Sequence, residues 1–87
     1  MEGEQTKVVV MGGTGQAGSI HLRNLKSLGA HVACLARRQN PEADVNYDYN
    51  TTKLADLVAD GYTHLVIALP DTMLYEACND ALKAEFP

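Results

Sequence analysis

Three runs of consecutive apolar residues punctuate the chain: Val8-Val9-Val10-Met11, Val32-Ala33-Cys34-Leu35 and Leu65-Val66-Ile67-Ala68-Leu69. Runs without polar alternation fit strands of a parallel sheet that is covered on both faces. They predict strands from Lys7 to Met11, from His31 to Ala36 and from His64 to Leu69, the last one ended by Pro70. Between the runs the apolar period changes to the helical one. Ala17, Ile20, His21, Asn24, Leu25 and Leu28 share one face of a helix from Gln16 to Leu28, with Arg23, Lys26 and Ser27 opposite and Gly29 as the stop. Asn50 or Thr51 is expected to cap a second helix from Thr52 to Ala59, with Leu54, Leu57 and Val58 inward and Gly61 closing it. Asp71 or Thr72 caps a third, where Leu74, Ala77, Cys78, Ala81 and Leu82 form an i, i+3, i+4, i+7, i+8 stripe. Residues 1–6 read as a polar tail. The stretch from Glu42 to Tyr49 stays open between a loop and a short strand at Val45 to Tyr47, beside the second strand.

The order is therefore β-α-β-(β)-α-β-α. Alternating strands and helices imply an α/β chain with a parallel sheet and helices on both faces. Right-handed crossovers give strand order 3-2-1-4, the mononucleotide-binding part of a doubly wound, Rossmann-like sheet. One domain over residues 1–87 is expected; a chain of 87 residues buries only about 60% of its unfolded surface. In this order the strand from Leu65 to Leu69 is an edge, with no proline or inward charge to discourage pairing, so the chain is expected to self-associate into a homo-oligomer or to need a neighbouring strand that it lacks.

The first strand runs directly into Gly12-Gly13-Thr14-Gly15-Gln16-Ala17-Gly18 and then into a helix. Gly13, Gly15 and Gly18 have the spacing GxGxxG; Gly12, Gly15 and Gly18 fit GxxGxxG as well. A strand, a glycine turn and a helix start together form the context in which such a motif binds a dinucleotide. Gly13 is expected to reverse the chain, Gly15 to let a pyrophosphate approach the backbone, and Gly18 to bring helix and strand close. The N–H groups from Thr14 through Gln16 and Ala17 would hold phosphate oxygens. The carboxyl ends of the other strands supply Arg37 and Arg38, and Leu69, Pro70, Asp71 and Thr72. Readers of an unphosphorylated ribose place an acid about 20 residues beyond the turn. No acid occurs between Glu4 and Glu42, whereas two arginines stand at the second strand's end. A guanidinium holds a 2′-phosphate through paired charged hydrogen bonds, so the expected cofactor is NADP, with NAD possible.

Composition narrows the remaining classes. Hydrophobic residues make up 46% and charged residues 21%, ordinary for a globular chain, and the net charge of −4 disfavours nucleic acid and acidic membrane surfaces. No apolar run is long enough to span a membrane, and the acidic start lacks the basic and apolar regions of a signal peptide. Cys34 and Cys78 form no ligand set and read as two buried thiols in a reducing, cytoplasmic compartment. His21 on the apolar helix face reads as a packed, hydrogen-bonded histidine. Ser19 lacks a base and an acid, Tyr75 and Asn79 do not form a Tyr-x-x-x-Lys pair, and Asp44, Asp48, Asp56, Asp60 and Asp71 read as solvated loop or cap acids, with no metal site among them. No lysine lies at a strand's carboxyl end, so no catalytic residue is expected and the chain alone is not expected to turn over a substrate.

Two stretches carry a family resemblance. Gly13-Thr14-Gly15-Gln16-Ala17-Gly18-Ser19-Ile20-His21 resembles the GxGxxGxxH of the Gfo/Idh/MocA oxidoreductases. Val66-Ile67-Ala68-Leu69-Pro70-Asp71-Thr72 followed by Ala81-Leu82-Lys83-Ala84 resembles that family's proline-ended strand and ALxA helix. The resemblance implies the NAD(P)-binding part of an oxidoreductase acting on a sugar- or polyol-like substrate. The family's Glu-Lys-Pro strand, whose lysine serves catalysis, and its substrate domain have no counterpart here. This implies the first two-thirds of a nucleotide domain, either cut before its next strand or a natural short relative, with a small-molecule substrate met only in a longer chain. Gly12-Gly13-Thr14-Gly15-Gln16-Ala17-Gly18 with Arg37 is also similar to NmrA-like atypical short-chain dehydrogenases, some of which are non-catalytic NAD(P) sensors.

Overall fold

The computed structural model describes residues 5–86; residues 1–4 of the expected polar tail, and Pro87, lie outside the described residues. Seven elements follow one another in the described part: β1 (Lys7–Met11), α1 (Gln16–Ser27), β2 (His31–Ala36), β3 (Val45–Asp48), α2 (Leu54–Ala59), β4 (His64–Ile67) and α3 (Asp71–Lys83). The four strands form one all-parallel sheet in the order β3-β2-β1-β4, as the apolar runs predict. The open stretch resolves as a strand, with Val45 opposite Ala33 and Tyr47 opposite Leu35.

The central strands bury both faces. Val10, Val32, Cys34 and Ala36 pack under α1 with Leu22, while Val9, Met11, Ala33 and Leu35 pack with Leu57, Tyr62 and Ala77 beneath α2 and α3. β4 is only half buried, because it has a strand on one side alone. No helix links β2 to β3. Residues 37–44 form a loop of bends and turns, so α1 covers its face without a neighbouring helix.

α1 buries another face than its apolar pattern predicts, and α3 buries only part of the predicted stripe. On α1 the inward line is Gly18, Leu22 and the half-buried Leu25; Ala17, Ile20, His21 and Asn24 are exposed, and Leu28 is 82% exposed. The cause is Gly18. A Cβ there would lie 2.0 Å from the Gly12 carbonyl oxygen, so the helix meets the sheet at its glycine, and the residues one turn and two turns on follow it inward. His21 is accordingly exposed rather than packed. On α3 the inward line is Leu74, Ala77, Ala81 and Ala84, whereas Cys78 and Leu82 turn outward and Tyr75 is 84% exposed. Small residues allow that helix to lie close, and the large ones stay outside. Of the two thiols, only Cys34 is buried.

Helix starts differ as well. The N-cap of α2 is Lys53 and that of α3 is Pro70, neither with a side-chain cap bond. Neither Asn50 nor Thr51 caps α2; Asp48 closes a turn ahead of it, its carboxylate accepting the Asn50 N–H at 2.8 Å and its carbonyl the Thr52 N–H at 3.0 Å. This turn delays α2 until Leu54. α1 stops at Ser27, with Leu28 as the C-cap and Gly29 following at a φ of 90°. β4 closes at Ile67, two residues before the expected end, although the Ala68 N–H still donates to the Met11 carbonyl.

The far end of the β2–β3 loop is fastened to α1 and β2. The Lys26 ammonium donates to Asp44 Oδ1 at 2.5 Å and the Val32 N–H donates to Asp44 Oδ2 at 2.8 Å. The Lys26 hydrogen bond, joined by the one from Val32, holds the Asp44 carboxyl below the usual aspartate range. A carboxylate whose folded pKa lies below its unfolded one stabilises fully above the unfolded value, about 3.9, and loses that contribution as the pH falls through the folded value. Asp44→Asn is expected to cost about 1 kcal/mol at pH 7 and to flatten the loss of stability below about pH 4. Urea unfolding followed by circular dichroism across that range is the check; an unchanged acid limb would show that Asp44 carries none of it.

Candidate functional site

The turn after β1 is built by Gly12, Gly15 and Gly18. Gly12 has a φ of 80°, and a Cβ on it would lie 2.4 Å from the Ala68 carbonyl oxygen. Its N–H donates to Leu35 at 2.9 Å and its carbonyl accepts the Gly15 N–H at 3.1 Å. The chain therefore reverses at Gly12, not at Gly13 as the GxGxxG reading expects. Gly13 has no positive φ; it lies over β2, where a Cβ would come 2.7 Å from the Cys34 sulfur. Gly15 is open. A Cβ there would meet only the Gly12 carbonyl, at 3.4 Å.

α1 begins directly beyond this opening. Its first three residues, Gln16, Ala17 and Gly18, have no intrahelical acceptor for their N–H groups. No side chain caps them, and no acid sits in the first turn. Such a helix start attracts an anion.

Beside the turn lies a cleft of about 410 Å³. The glycine turn contributes Gly12, Thr14 and Gly15 to it, and the end of β2 contributes Leu35, Ala36, Arg37 and Arg38. Tyr49 enters from the residue after β3, and Leu69 and Met73 enter from beyond β4. These positions share one edge because parallel strands all point their carboxyl ends the same way. Arg37 and Arg38 are exposed and have no ion-pair partner among the described residues.

Of the residues expected at a site, the structure brings Thr14, Gly15, Arg37, Arg38 and Leu69 to this cleft. Gly13 and Gly18 are buried beneath the turn. Gln16 and Ala17 are exposed at the start of α1, and Pro70, Asp71 and Thr72 are exposed at the start of α3; none of these five lines the cleft. Tyr49 and Met73 do line it, and the sequence reading missed them. The carboxyl-end rule would nominate Tyr49 once the strand at Val45–Asp48 is fixed. A second groove of about 460 Å³ runs between α2 and α3 and shares Leu35 and Tyr49 with the first, but lies away from the glycine turn.

No protein-family model and no curated protein matches this chain.

What the cleft offers follows from its own groups. Arg37, Arg38 and Tyr49 are its titratable lining residues, and no lining residue is an acid. Leu35, Leu69 and Met73 give it an apolar part. Among the described residues, no three His, Cys, Asp or Glu side chains gather where a metal ion could sit. Burial pushes the Cys34 thiol up, opposed in part by the Asn40 and Gly13 N–H groups, so the sulfur behind the turn is protonated and unreactive at neutral pH. Among the described residues, no helix is long and apolar enough to cross a membrane. The arrangement sets two cationic side chains and an apolar wall beside the uncapped start of α1.

Proposed function

We propose that this cleft binds a dinucleotide, NADPH in preference to NADH, as the cofactor-holding part of an oxidoreductase acting on a sugar- or polyol-like substrate. The observation that carries the reading is an open glycine turn and two arginines, without an ion-pair partner among the described residues, in one cleft. The pyrophosphate would take the N–H groups beside Gly15 and the 2′-phosphate would take Arg37 and Arg38. Leu69, Met73 and the Tyr49 ring supply apolar surface for the base. A cleft of about 410 Å³ falls within the usual range for small-molecule sites, about 300–1,000 Å³. The free thiols Cys34 and Cys78 suit a reducing compartment, in keeping with a cytoplasmic location.

A non-catalytic NAD(P) sensor is the second reading, and one observation favours it. The glycines that make the turn are Gly12, Gly15 and Gly18, the GxxGxxG set, whereas Gly13 has no positive φ and lies over Cys34. A sensor needs unequal affinity for the two redox forms of its nucleotide. Titration with NADP⁺ beside NADPH separates the readings: a large difference in Kd favours the sensor, and similar values favour a cofactor site.

Replacing both arginines tests the nucleotide preference. Arg37→Ala with Arg38→Ala is expected to weaken NADPH about a hundredfold, about 2.8 kcal/mol, and NADH less than about threefold. Equal losses for both would remove the arginines from the reading.

A further inference from the structure

The two arginines stand at the start of a loop that has no helix or strand of its own, yet they must hold a fixed distance from the glycine turn if one ligand is to touch both. Side chains in an irregular loop retain conformational freedom that binding has to remove. Something else must fix this loop.

Asn40 fixes it. It is 7% exposed, the one buried polar side chain among the described residues. Its Nδ2 donates to the Gly13 carbonyl at 2.9 Å, and its Oδ1 accepts the Glu42 N–H at 2.9 Å. Its own N–H donates to Asn46 Oδ1 at 2.8 Å, and its carbonyl accepts Asn46 Nδ2 at 3.1 Å. Backbone and side chain of Asn40 are thus both engaged. Asn46 lies on β3, so the tip of the loop is tied to the sheet from below. Among the described residues, the Asn40–Gly13 bond is the sole hydrogen bond between the loop and the glycine turn. Beyond Asn40 the loop is tied elsewhere: Glu42 pairs with Arg23 at 3.1 Å and Asp44 pairs with Lys26, both on α1.

We infer that Asn40 is a positioning residue: it locks the segment carrying Arg37 and Arg38 to the glycine turn and so sets the preference for NADPH over NADH. The inference rests on the nucleotide reading of the cleft. Asn40 lies beneath the site and touches neither phosphate position. Its effect passes through the spacing between the 2′-phosphate and pyrophosphate subsites. NADH, which lacks the 2′-phosphate, uses only the second subsite and is less sensitive to that spacing.

The experiment is a double-mutant cycle read by the ratio of Kd for NADH to Kd for NADPH, with thermal unfolding recorded for every variant. Asn40→Ala is expected to lower the ratio about tenfold in the otherwise unsubstituted chain. In the background of Arg37→Ala with Arg38→Ala it is expected to leave the ratio unchanged, because nothing then reads the 2′-phosphate. A merely structural role would weaken both nucleotides alike, or lower the ratio equally in both backgrounds; either outcome overturns the inference while the nucleotide reading stands. Should Asn40→Ala not fold, Asn46→Ala removes both bonds to the Asn40 backbone and keeps the Gly13 bond. It is expected to lower the ratio about threefold, and an unchanged ratio overturns the inference. An unsubstituted chain that binds neither nucleotide overturns the reading of the cleft, and the inference with it.

Discussion

Gly18→Ala is expected to unfold the chain. The added Cβ would lie 2.0 Å from the Gly12 carbonyl oxygen and 2.8 Å from the Gly12 carbonyl carbon, both backbone atoms. Neither can rotate away as a side chain would. Gly12 is itself held: its N–H is bonded to Leu35, its carbonyl receives Gly15, and the Ala68 carbonyl lies against its Cα. Relief requires α1 to back off the sheet, which uncovers Leu22 and the strand residues Val10, Val32 and Cys34 beneath it. A strained contact combined with lost core burial belongs to the class of substitutions that cost about 4 kcal/mol or more. A domain of this size has only about 4–13 kcal/mol to lose. Circular dichroism should show loss of the cooperative thermal transition. A variant that melts within a few degrees of the unsubstituted chain would mean that α1 does not meet the sheet at Gly18.

Gly15→Val is expected to do the opposite: keep the fold and remove the ligand. Gly15 has a φ of −74° and a ψ of 171°, an extended conformation that any residue adopts. A Cβ there meets a single atom, the Gly12 carbonyl oxygen, at 3.4 Å. The valine methyl groups would instead project into the opening beside the N–H groups of α1, where the pyrophosphate is to sit. Loss of close backbone approach should weaken NADPH and NADH alike, by at least about a hundredfold, about 2.8 kcal/mol. The midpoint of thermal unfolding should shift by no more than a few degrees. The pair Gly18→Ala and Gly15→Val therefore separates the glycine that packs from the glycine that admits a ligand. Unaltered nucleotide affinity in Gly15→Val would place the ligand elsewhere.

Element order and strand order were legible because consecutive apolar residues mark strands buried on both faces, and topology follows from the handedness of crossovers. β3 was harder to read. Val45-Asn46-Tyr47-Asp48 mixes polar and apolar residues, since only a half-buried edge strand needs them, and Asn46 is spent on bonding Asn40. The face of α1 was misread, and the stripe of α3 in part, for a physical reason. Hydrophobic periodicity counts large side chains, whereas α1 and α3 approach the sheet through Gly18 and through Ala77 and Ala81. Where a close approach is needed, the smallest residue marks the inward face, and large residues off its line, such as Ile20 and Leu82, stay outside.

The candidate cleft was legible in part by the same logic. The rule that ligands sit at the carboxyl ends of parallel strands led to Thr14, Gly15, Arg37, Arg38 and Leu69. It missed Tyr49 because the end of β3 was unsettled, and Met73 because that side chain comes from inside the first turn of α3. Spacing alone did not reveal that Gly12, with its positive φ, makes the reversal; both glycine patterns fit the same seven residues. Asn40 carried no signal at all. A hydrogen bond that spans 27 positions leaves no local pattern to find.

The most direct measurement of the central claim is calorimetric titration of the unsubstituted chain with NADPH and with NADH under one buffer and salt condition. The expected result is saturable one-to-one binding of NADPH with a Kd of about 0.1 mM or tighter, and NADH weaker by about a hundredfold. Absence of binding by either nucleotide up to about 1 mM would contradict the account.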